Sequence, residues 1–266
     1  MAGIPNATLS GWAIPTVINP WDHTYIASSR GLTWGCFGRS AGGSLQVSGK
    51  GSSIDADCLS HPNGQAGIIY LVTGVCHQAS NRILHPAGIT VAGCNGYPVS
   101  AFAFGTYGRG PWTAFASCYG TAMSVASNAG EPRNQQDGNM TGKDTYDQAV
   151  SHLPAAPDRL TELAALVELG LGEPLPPDTF KCLAGIQAEL WKSQDELAEL
   201  LLNDGIGQSN YMTRLNISVR NAMDASERLL GRRRFRAIFG ESGMNPVGLT
   251  DEEMFLANPP PGLQKK

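Results

Sequence analysis

The chain has 266 residues, 42% of them hydrophobic, which is enough to bury one large core or two of ordinary size and argues against global disorder. Its formal net charge is −4, and neither half is basic: residues 1 to 150 hold seven Lys/Arg against seven Asp/Glu, and the remainder holds 12 against 16. That balance excludes an electrostatic nucleic-acid surface, so no nucleic-acid partner is expected.

The first 20 residues contain no Lys or Arg and several Pro and Asn, so they lack the charged and apolar regions of a secretory signal. The protein is therefore expected to be cytoplasmic, or exported by a dedicated secretion machine. Of the 32 Gly, 22 precede residue 150, and the same region holds short β-branched and aromatic runs. These predict strands at His23 to Ala27, Thr33 to Phe37, Ser44 to Val47, Ile68 to Val72 and Ala101 to Tyr107, each bounded by Gly, Ser or Asn. The run Trp34 to Gly43 between two of them reads equally as a cleft-lining loop or as a plain hairpin. The apolar run around the fourth of these, Ala66 to Val75, is too short to span a bilayer, and no membrane span is expected.

A short helix follows Thr73: Val75, Ala79 and Ile83 recur at four-residue spacing, and Pro86 and Gly88 stop the run, with Cys76 in the first turn. Gly105 to Gly110 lacks the Lys-Ser/Thr and the helix of a phosphate-binding loop. Residues 127 to 157 are polar and rich in turn formers, which puts a boundary near 150. Beyond it three amphipathic helices are predicted: one from Pro157-Asp158 to Gly170, one from Pro177-Asp178 to Gly205, and one from about Ser209 through Leu230. Arg232, Arg233, Arg234 and Arg236 fall near the expected end of the third, where the helix dipole favours cations. The tail from Asn258 reads as loose. The expected fold class is thus α+β, with residues 1–150 as a Gly-rich α+β unit and 151–266 as a helical bundle or hairpin extension.

Six Cys at positions 36, 58, 76, 94, 118 and 182 show no C-x-x-C pair, and without a signal peptide they read as buried or catalytic thiols before disulfides. Their spacing with His23, His61 and His77 matches no zinc signature, so neither a metal nor any other cofactor is expected. Cys76 is the most suggestive of them. A thiol in the first turn of a helix meets the positive end of the dipole and unpaired N–H groups, which lower its pKa and offer an oxyanion site at the Cys76 amide. Its base would be His23, at the start of an upstream strand. His77 is adjacent, but neighbours on a helix point about 100° apart. A packed thiol and a satisfied core histidine are the plainer readings of each residue alone; their joint occurrence favours chemistry.

A His on an early strand, followed by intervening strands and then a helix that reads Gly74-Val-Cys-His-Gln-Ala-Ser-Asn-Arg-Ile-Leu84, resembles the circularly permuted papain-like hydrolases. That group takes in lecithin:retinol acyltransferase-like proteins and permuted NlpC/P60 amidases, whose His precedes the Cys. The resemblance covers residues 20 to 110. It implies a papain-like N-terminal unit and a cysteine peptidase or amidase that acts on amide, isopeptide or ester bonds, with a peptide, peptidoglycan or protein as substrate. The candidates for a third, orienting residue are Asp22, Gln78, Asp55 and Asp57, and the sequence does not choose among them. A bacterial effector is one setting that would suit such a chain. The alternative reading is a non-enzymatic binding or assembly protein that meets a protein partner through residues 151–256.

Overall fold

The computed structural model describes residues 5–16, 21–60, 64–109, 158–246 and 251–260. The predicted boundary near 150 and Cys118 lie outside the described residues, and so does the side chain of Cys58. The architecture is α+β, with a small antiparallel sheet on one side and helices over the rest.

Four strands make the sheet: β1 (Ala7–Pro15), β2 (Asp22–Ser28), β3 (Thr33–Trp34) and β4 (Ser44–Gly51), in the order β3-β2-β1-β4. β1 was not expected. Its inward positions Ala7, Leu9, Gly11 and Ala13 alternate with Thr8, Ser10 and Trp12, a period of two written mostly in small residues. Gly11 is small because a Cβ there would lie 2.9 Å from Val91 and 3.0 Å from Val47. β2 and β4 pair with β1 on either side, which sets His23 opposite Ile14.

Helix α1 (Ser53–Ser60) follows the sheet, capped by Ser52 Oγ, which accepts from the Asp55 amide at 3.1 Å. The segment Ile68 to Val72, expected as a strand, instead forms turns. Leu71 adopts φ 61°, and the Val72 and Thr73 amides both donate to the Ile69 carbonyl. The apolar run reflects burial of a loop, since periodicity cannot separate the two when every position is inside. Helix α2 (Cys76–Leu84) forms where expected, and a short 3₁₀ turn at His85–Ala87 ends it. Ala101 to Tyr107, also expected as a strand, belongs mainly to helix α3 (Tyr97–Phe104). Gly96 at φ 84° and Pro98 start that helix, and burial on every side erases any amphipathic period.

The three predicted C-terminal helices are present as α4 (Arg159–Leu171), α5 (Pro177–Leu202) and α6 (Gln208–Met244). α6 runs past its expected end, with non-helical backbone at Gly231 (φ 73°) and Gly240 (φ 63°). The exposed Arg232 to Arg234 therefore begin the segment after the Gly231 break, and the dipole of a finished helix does not explain them; Arg236 pairs with Glu241. The bundle packs on α3: Gln187 Nε2 and Trp191 Nε1 both donate to the Phe102 carbonyl, at 3.0 and 3.1 Å, and Phe102 meets Phe239 edge to face. Helix α7 (Glu252–Ala257) returns to the sheet side, anchored by Phe255 stacked on Tyr211.

Tyr211 ties the bundle to the loop before α2, donating its hydroxyl to the buried Leu71 carbonyl at 2.9 Å. Tyr211→Phe should cost about 1–2 kcal/mol, because the carbonyl is left unpaired inside. Urea unfolding measures this, and an unchanged midpoint would mean the bond contributes nothing. Among the described residues, no helix is long and apolar enough to cross a membrane.

Candidate active site

Every residue of α2 is buried, although the sequence Cys-His-Gln-Ala-Ser-Asn-Arg-Ile-Leu is mostly polar. Buried polar groups need partners, and these partners fix the helix in one rotation. Ser80 bonds Thr24 on β2 at 2.9 Å. Asn81 takes the Val91 amide and donates to the Thr106 carbonyl. Arg82 donates to the carbonyls of Tyr107 and Ala66. At the N-terminus Gln78 Oε1 accepts from the Val75 amide at 3.0 Å, and its Nε2 donates to the Gly105 carbonyl. Thr73 Oγ1 accepts from the Ile69 amide at 2.8 Å.

This rotation turns Cys76, 8% exposed, toward β2, where His23, 7% exposed, meets it. The imidazole's Nε2 lies 3.0 Å from the Arg39 carbonyl, and a carbonyl only accepts, so Nε2 carries the proton. Nδ1 is then left to the thiol. Burial alone would lower the His23 pKa, but the hydrogen bond and charge of Cys76 and the carbonyls of Arg39 and Gly35 outweigh it and raise it. For Cys76, burial alone would raise the thiol, yet His23's hydrogen bond and charge, with Thr24's backbone and hydroxyl, bring it below the usual range. Both shifts favour thiolate beside imidazolium, and the N-terminus of α2 adds to this. The Cys76 amide stands in the first turn, where no intrahelical carbonyl reaches it.

The loop from Trp34 to Gly43 lines the cleft through Gly38 and Arg39; it is not a hairpin, because the strands it links, β3 and β4, are the two edges of the sheet. Cys36 and Phe37 adopt φ 47° and 80°, which bends the chain so that Gly38 lies flat against His23. A Cβ at Gly38 would sit 2.6 Å from His23 Cε1 and 2.7 Å from Nε2.

A main-chain carbonyl, that of Arg39, thus holds the His23 ring, and a carbonyl carries no side-chain signal in the sequence. Asp22 Oδ2 accepts from the Asn95 amide, Gln78 caps α2, and Asp57 accepts from the Trp34 indole. Asp55 sits in the first turn of α1. His77 turns away from Cys76, with Nδ1 2.8 Å from Ser100 on α3. Cys36 and Cys94 are free and buried, and burial pushes the Cys36 thiol up to about 12; Cys182 is free and exposed. Among the described residues no group of three or more His, Cys, Asp or Glu is placed to hold a metal ion.

Cys76 and His23 open on a cavity of about 830 Å³. Its walls include Ile14, Tyr70, Val75 and Arg39, and its far side is the start of α7, Asp251 to Met254. That last wall, 175 residues downstream of the thiol, carried no signal in the sequence. No family model matches the chain, and no curated protein or solved structure matches it.

Proposed function

We propose that this protein is a cysteine hydrolase of the circularly permuted papain-like type, cleaving an amide, isopeptide or ester bond through a thioester acyl-enzyme. The observation that carries the reading is the buried Cys76–His23 pair at the wall of a large cavity, with the thiol's pKa lowered and the imidazole's tautomer set by Arg39. Cys76 Sγ attacks the substrate carbonyl, and the oxyanion that forms accepts from the Cys76 amide. The proton held at His23 Nδ1 passes to the departing nitrogen or oxygen, leaving a thioester. Water then attacks the thioester, His23 takes its proton, and the carboxylic acid leaves, restoring the Cys76 thiolate beside the His23 imidazolium. Peptides, including peptidoglycan peptides, are the substrate class to try first.

The alternative of a binding protein acting through residues 151–256 finds less support, because Leu163, Leu183, Leu190, Leu197, Leu215 and Val219 bury their stripe within the structure.

The test is iodoacetamide labelling at each cysteine across pH, followed by peptide mass spectrometry. Because its pKa is lowered, the thiolate of Cys76 is populated at lower pH than an ordinary thiol, so Cys76 should label ahead of Cys36, Cys94 and Cys182 near pH 6. His23→Ala should remove about 10- to 100-fold of that rate. A Cys76 that stays inert, or that reacts identically without His23, sinks the hydrolase reading.

A further inference from the structure

One stretch of the cavity that holds the nucleophile is acidic, and it comes from residues 251–253, far along the chain. Asp251, Glu252 and Glu253 line the cavity together, and neither glutamate is in an ion pair among the described residues. Arg39, which is exposed, is the lone guanidinium along the lining among the described residues.

This wall is held in place. Asp251 Oδ1 caps α7 by accepting from the Met254 amide at 2.9 Å, and Phe255, fully buried, stacks on Tyr211. Gln65 Nε2 donates to Asn258 Oδ1 at 3.1 Å, tying the end of the segment to the loop before the Tyr70 wall. Tyr70 bridges the two sides: it accepts from the Asp251 backbone and feels the charges of both Asp251 and Cys76. The carboxylates therefore line the same cavity as the thiol.

A second feature of the same cavity calls for an incoming group. His23 is more than nine-tenths buried, and its Nδ1 has no hydrogen-bond partner among the described residues. A carbonyl compound has to enter the cavity that His23 shares with the three carboxylates for that nitrogen to work.

We propose that the substrate carries a cationic group, an ammonium or guanidinium, close to the bond attacked, and that Glu252 and Glu253 receive it. This rests on the hydrolase reading and specifies its substrate class. In a partly enclosed cleft, carboxylates of one sign raise the local concentration of cations and repel anions, and the effect weakens with salt.

The experiment uses the full chain and two methanethiosulfonate reagents of similar size, the cationic ethylammonium and the anionic ethylsulfonate. Their rates at Cys76 are read by peptide mass spectrometry and divided by their rates with free mercaptoethanol. At low salt the corrected preference for the cation is expected to be about tenfold or more, falling severalfold by 0.5 M salt. Glu252→Gln with Glu253→Gln, which leaves the Asp251 cap and Phe255 in place, should bring the ratio close to one. Iodoacetamide, which is neutral, should still label the double variant in a His23-dependent way, which shows that the Cys76–His23 pair is intact. Equal rates for both reagents, or a preference unmoved in the double variant, would overturn the proposal while the His23-dependent iodoacetamide reactivity leaves the hydrolase standing. Loss of that reactivity in the unaltered chain would remove both.

Discussion

Gly38→Ala is expected to destabilise the protein by about 2–3 kcal/mol and to lower Cys76 labelling near pH 6 by tenfold or more. The reasoning is geometric. The nearest neighbours of the added methyl are Cε1 and Nε2 of His23, at 2.6 and 2.7 Å, and a ring that close has to move. The ring is confined on its other sides: it is 7% exposed, its Nε2 is bound to the Arg39 carbonyl, and the Cys76 thiol lies beside it. Displacing it breaks the bond that fixes the tautomer, or the contact that lowers the thiol, or both. Thermal unfolding reports the first effect and iodoacetamide kinetics the second. Gly31→Ala is the control, since a Cβ there meets nothing within 4 Å and its positive φ of 83° supplies only backbone strain. That control should lose some stability and none of the reactivity. A Gly38→Ala protein with normal Cys76 kinetics would mean that the loop does not position the base.

The parts of this site legible in the sequence were those written in local pattern. Cys76 in a helix's first turn, the strand of His23 and the three C-terminal helices all follow from spacing and punctuation within a few residues. What escaped was either hidden by burial or carried by main chain. Tyr97 to Phe104 and Ile68 to Val72 are apolar on every side, so their period is silent, and β1 alternates between residues too small to stand out. Arg39 contributes a carbonyl, which every residue has, and Gly38 contributes an absence. The acidic wall needed the bundle to close, because Phe255 finds Tyr211 only once α6 is folded. One signal was available and unread: Ser80, Asn81 and Arg82 interrupt the apolar stripe of α2, which in a helix that ends up buried means fixed partners on both sides.

His77 makes the protein acid-sensitive, and this second large effect separates the two adjacent histidines by environment. His77 is 1% exposed, with Nδ1 on Ser100 and its ring edge to face with Tyr97. Burial, with the charge of His23 adding to it, pushes its pKa down to about 3 against a normal 6.5, and a hydrogen bond to the Asp22 backbone offsets part of this. The folded value lies below the unfolded one, so the unfolded chain takes up the proton first. Stability is therefore complete above pH 6.5 and is lost as pH falls from there toward 3, by about 1.4 kcal/mol per pH unit. By pH 5 the loss due to this residue should be about 2 kcal/mol, a large share of an ordinary stability. His77→Asn keeps an amide near Ser100 and removes the titration, so urea unfolding at pH 7 and pH 5 should show the wild type losing about 2 kcal/mol more than the variant. Raised groups such as His23 and Glu162 bend the curve the other way, which is why the difference between the two proteins is the quantity to read. Parallel pH profiles would show that His77 is protonated without penalty. A neutral His77 leaves His23 as the imidazole that holds a proton beside Cys76, so the same experiment bears on which histidine can serve the thiol.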